Sequence, residues 1–128
     1  MIRPEGWPRP KGYAHAVVAE GRLVFLAGQI GWDASETLRS DDFVDQARQA
    51  LENVVTLLRA AGGQPEHLVR MTWYVVDRRE YLGRLKDLGQ VYREVVGPTF
   101  PAMTAVEVSS LIEDRARVEI ECTAVIPG

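Results

Sequence analysis

The chain has one cysteine, two histidines and no run of basic residues among its 128 positions. A single thiol, Cys122, cannot close an intramolecular disulfide, so a disulfide scaffold is excluded and a reducing compartment, the cytoplasm, is the expected setting. His15, His67 and Cys122 show none of the short spacings that hold a metal, and no metal centre is expected. Eighteen acidic against fifteen basic side chains leave a net charge of −3. Without a Lys/Arg block to neutralise a row of phosphates, no nucleic-acid partner is expected. No stretch approaches 18 consecutive apolar residues, and the first ten residues carry three prolines in place of the apolar run of an export signal. Neither a membrane span nor secretion is expected. Ser109-Ser110 has no glycine elbow, and Gly12, Gly28 and Gly31 form no phosphate loop with a lysine, so no serine-hydrolase site and no cofactor are expected.

What remains is ordinary folded composition: 46% hydrophobic and 26% charged residues in a length typical of one domain, spanning 1–128. Residues 1 to 12, rich in Pro and Gly, predict an extended arm that leads to a first strand near Ala14 to Ala19. Leu23 to Ile30 is β-branched and aromatic enough for a second strand paired with the first as a hairpin, and Gly28 within it suggests a bulge or a close backbone approach. Ser40, Asp41 and Asp42 can cap a helix whose apolar stripe runs Phe43, Ala47, Ala50, Leu51, Val54, Leu58 and Ala61, ended by Gly62-Gly63. Leu68 to Val76 predicts a strand. Residues 79–97 predict a second helix with Tyr81, Leu85, Leu88, Tyr92 and Val95 on one stripe, Gly83 and Gly89 each costing about 1 kcal/mol against alanine. Two strands close the chain, over "AMTAVEVSS" and "RVEIECTAVI".

The order ββαβαββ points to an α+β protein, a mixed sheet with both helices on one face. The other face would then expose Glu119 and Glu121 among large apolar groups, and self-association is the simplest cover.

Five stretches, "GYAHAV", "VFLAGQIGWD", "QARQALENV", "FPAMTAVEV" and "VEIECTAV", together resemble the RidA/YjgF family across nearly the whole chain. The resemblance implies a chorismate-mutase-like fold, a homotrimer, and small-molecule clefts between subunits that hydrolyse enamines and imines without metal or cofactor. It places the cleft's tyrosine on Tyr13, its backbone contacts on Ala27 and Gly28, and its glutamate on Glu119. The arginine of the family's P-A-R-S motif falls on Met103, a thioether that offers no donor to a substrate carboxylate. His15 stands where the family has glutamine and Ala27 where it has serine, while Trp32 and Trp73 add aromatic surface. Some members of that family deaminate unsaturated amino acids such as aminomuconate, so the resemblance, with a more apolar cleft, implies a larger or unsaturated substrate of that kind.

Each of these residues also has a plain structural reading. Glu119 is the candidate water-activating base or one more solvated strand residue. Tyr13 is a ligand donor or a packed aromatic with a wet tip. His15 is a cleft-lining residue or hydrogen-bonded structure. His67 is expected to cap or turn, and Cys122, alternating with Val118, Ile120 and Ala124, to be core. For the protein as a whole, the alternative to a deaminase is a binding or regulatory trimer that lost catalysis with the arginine.

Overall fold

Burial alternates along the last strand: Val118, Ile120, Cys122 and Ala124 are buried, whereas Glu119, Glu121 and Thr123 are not. The rest of the sheet is arranged about this segment. In the computed structural model, which describes all 128 residues, the elements are β1 (Arg22–Gln29), α1 (Phe43–Ala60), β2 (Leu68–Val75), α2 (Arg78–Gly83), α3 (Leu85–Val95), β3 (Ala102–Glu107) and β4 (Val118–Ile126), with a 3-10 turn at Pro65–His67. The four strands lie in the order β1-β4-β2-β3. β4 runs antiparallel to both β1 and β2, and β2 pairs with β3 in parallel. The result is the expected α+β architecture with a mixed sheet.

α1 forms where its stripe and caps require. The Asp42 carboxylate accepts from the Asp45 N–H at 3.1 Å, Asp45 and Arg59 complement the helix dipole at its two ends, and Gly62 leaves the helix at φ 90. Phe43, Ala47, Ala50, Leu51, Val54 and Leu58 are all buried against the sheet. Truncating a leucine in such a core to alanine costs about 2–5 kcal/mol.

Gln46, on the same helix, is buried and fully used. Its Nε2 donates to the carbonyls of Ser40 and Arg115 at 2.9 and 3.1 Å, and its Oε1 accepts from the Arg117 N–H at 2.8 Å. Gly31 packs against it so closely that a β-carbon there would overlap Gln46. One side chain therefore holds Arg117, the residue just before β4 and two before Glu119.

Two expectations are corrected. The strand near Ala14 to Ala19 and its hairpin do not form. Ala14 and Ala16 make only isolated bridges, and the Ala14 N–H donates to the Pro101 carbonyl at 3.0 Å. The arm thus meets the outer edge of β3 only at its start, Ala102, while β1 pairs with β4 instead. The second helix is also two helices, broken at Gly83. Arg84 sits at φ −124, ψ 22, and its side chain bonds Asp87 and Asp42. The glycine provides no side chain to hold the turn helical.

Candidate ligand cleft

The helix-covered face of the sheet holds the core, and the opposite face is bare. On that bare face Leu23 and Phe25 of β1 and Val106 of β3 are exposed, Phe25 by 75%. Tyr74 lies among them and donates its hydroxyl to Glu121 at 2.9 Å. That bond to a carboxylate, with some burial, raises the tyrosine's pKa above its ordinary value.

Glu119 projects from the same face beside Tyr74, its partner in the β2–β4 register. No side chain or backbone group of the chain donates to its carboxylate. The carboxylate lies directly over Gly28, where the β1 register shifts between Leu26 and Gln29. The bulge and the missing β-carbon together make the close approach that the glycine suggested. Ala27 is exposed beside it, and its carbonyl accepts from the Gln29 Nε2 at 3.0 Å.

Met103 stands on the other side of the sheet. It pairs with buried Met71, packs against the core and lines a groove of about 410 Å³ between β3, α3 and the arm. Trp73 is buried in the groove wall, its indole N–H without an acceptor. Tyr92 and Phe100 stack in its lining, centroids 5.8 Å apart at 11°, and the Tyr92 hydroxyl donates to the Thr99 carbonyl. Burial pushes the pKa of Tyr92 well above the usual tyrosine value.

Tyr13 and His15 make a third cluster on the arm. The rings of His15 and Tyr13 meet edge to face at 5.2 Å, and Trp7 meets His15 the same way at 5.1 Å. The neighbouring Lys11 and Gly12 reach the Met103 groove. Within one chain the structure therefore joins Glu119 with Ala27 and Gly28, Met103 with Trp73, and Tyr13 with His15, but it does not unite the three groups. Trp32 packs against a small satellite core of Ile30, Leu38 and Ala116.

His67 turns out as a cap, its Nδ1 accepting from the Gln64 N–H at 3.0 Å. Cys122 is core, its thiol pushed up to about 12 by burial first and then by nearby Glu121. No group of three or more His, Cys, Asp or Glu side chains is placed to hold a metal. No helix is long and apolar enough to cross a membrane.

Lys11, Gly89, Arg93 and Phe100 also line the groove, and nothing in the sequence marks them as cleft residues. Tyr92 and Leu88 were visible only as a core stripe, and Arg93 carried no signal beyond being the charged neighbour of that stripe.

A mixed four-stranded sheet, helices on one face and an exposed apolar face on the other, defines a two-layer α+β protein with its polar candidates at the sheet's uncovered surface and edges. The profile of the family described as Endoribonuclease L-PSP matches residues 8–126. A RutC family protein of Pyrococcus horikoshii is 35% identical over 97% of this chain and 95% of its own. Human 2-iminobutanoate/2-iminopropanoate deaminase is 32% identical over 88% of this chain and 79% of its own. The crystal structure of YyfB, a Rid family protein of Yersinia pestis, superimposes with a TM-score of 0.86 at 32% identity, covering 98% and 96% of the two chains. The chain belongs to the RidA/YjgF family.

Proposed function

We propose that this protein is a cytoplasmic enamine or imine deaminase, a homotrimer whose clefts form where one copy's bare sheet face meets the arm and groove of another. Its substrate is a larger or unsaturated imine, of which an aminomuconate-type compound is an example, and the reaction uses no metal. The observation that carries the reading is the Glu119 carboxylate, held over Gly28 on an exposed apolar face with no partner in its own chain. The deaminase name of the human relative agrees with it.

In this reaction an enamine first takes a proton on carbon and gives one up from nitrogen to become the imine. Water then adds to the imine carbon, Glu119 accepting the water's proton as the new C–O bond forms and passing it to the nitrogen. The carbinolamine collapses, its C–N bond breaks, the carbonyl forms and ammonia leaves. Tyr13 and His15 line the cleft, with the Ala27-Gly28 backbone beneath the substrate and Met103 and Trp73 against its body. Ribonuclease activity is not part of this reading, since a net charge of −3 with no basic block offers little to a phosphate chain.

Met103 favours a second reading, a binding or regulatory trimer without catalysis. Its thioether cannot replace a guanidinium, and loss of a charged partner from a desolvated site costs roughly 2–5 kcal/mol, more than tenfold in affinity.

Ammonia release from freshly generated 2-aminoacrylate and from a 2-aminomuconate tests both. The deaminase reading expects turnover of the larger substrate that Glu119→Gln removes. Turnover indifferent to Glu119→Gln defeats the assigned base. No turnover by the unaltered protein, with Met103→Arg creating activity on 2-aminoacrylate, establishes the second reading.

A further inference from the structure

The groove beneath Met103 has charge of one sign only. Lys11 and Arg93 are its two charged lining residues, and neither takes part in any ion pair or side-chain hydrogen bond of the chain. Of the neighbouring arginines, Arg79 meets Asp77 and Arg84 bridges Asp42 and Asp87. Arg93 instead folds back one turn along α3. A β-carbon built on Gly89 would lie 3.5 Å from Arg93 Nη1, an ordinary contact, so the guanidinium crosses the bare backbone of that glycine on the groove side. A long side chain at position 89 would occupy the same space.

We infer that Arg93, admitted by Gly89 and supported by Lys11, is the anion anchor of the groove, and that the ligand it selects is a 2-imino acid with an aromatic or similarly large apolar side chain. This rests on the deaminase reading for the imine, and on the groove alone for the anion and the apolar body. A guanidinium offers two parallel donors to a carboxylate, which the Met103 thioether cannot. The stacked Tyr92 and Phe100 rings and Met103 itself then form the apolar wall for the rest of the molecule. A small imino acid would leave that wall wet, and a neutral apolar molecule would leave the cations unmatched.

Binding of 2-keto acids, the products such imines would give, tests this without turnover. Phenylpyruvate, pyruvate and phenylacetone are titrated into the full-length protein by calorimetry, with Arg93→Gln, Arg93→Lys and Gly89→Gln alongside. Phenylpyruvate is expected to bind at least tenfold more tightly than pyruvate or phenylacetone. Arg93→Gln and Gly89→Gln should each weaken it at least tenfold, and Arg93→Lys should restore part of the loss. Arg93 is exposed, so its replacement leaves the core intact. Equal binding by Arg93→Gln, equal binding of phenylacetone, or no phenylpyruvate binding by the unaltered protein overturns the inference. A protein that binds as expected yet releases no ammonia from any imine keeps the anchor and loses the deaminase reading. Turnover insensitive to Arg93 does the reverse.

Discussion

Gly28 runs directly beneath the Glu119 carboxylate, so closely that a β-carbon on the glycine would overlap the carboxylate oxygen and the side-chain carbons behind it. The obstructing atoms are the far end of a flexible side chain rather than backbone. Gly28→Ala is therefore expected to fold with a stability change under about 1 kcal/mol, since only the flexible end of a partly exposed side chain must move. Its deaminase activity should fall as far as that of Glu119→Gln. Urea unfolding and ammonia release measure the two halves separately, and an alanine variant with full activity would show that the carboxylate's position does not matter.

Gln46 closes the loop before β4 with three hydrogen bonds to backbone groups. Gln46→Leu keeps the volume and strands those groups, at about 1–3 kcal/mol for a buried unsatisfied group. A loss of about 3 kcal/mol in urea unfolding is expected. A loss below about 1 kcal/mol would mean that the loop is held by something else.

Asp42 caps α1, and its pKa is lowered from 3.8 chiefly by the Asp45 backbone N–H, with Arg84 adding to the effect. The folded state then binds the proton more weakly than the unfolded chain. The cap's contribution is complete above about pH 4 and fades as pH falls through the folded value. Asp42→Ala should cost about 1 kcal/mol at pH 7. Urea midpoints of the two proteins should draw together below pH 4, and a gap that widens on acidification would reverse the assignment.

Much of this was written in local pattern. The period of two in Val118 to Ala124, the 3.6-residue stripe of α1 and the Asp42 cap each specify their element without help from distant residues, and the matching structures appear as expected. Ala14 to Ala19 misled because a strand-like composition does not say whether a partner edge is within reach; Ala14 bridges only to Ala102 of β3 and Ala16 only to Ile2. Gly83 and Gly89 looked alike as weak points in one helix, yet one breaks it and the other makes room for a guanidinium. Only the fold separates those roles. The candidate site residues come from family resemblance, whereas the placement of Met103 and Glu119 on opposite sheet faces depends on strand register, which no single stretch encodes.

That opposition makes the assembly decisive, because Met103 and Glu119 can face one ligand only if two copies of the chain supply them. Light scattering on the purified protein at micromolar concentration measures this most directly. The account predicts a mass three times the 14.3 kDa of one chain. A mass of a single chain, with deaminase activity intact, would contradict it.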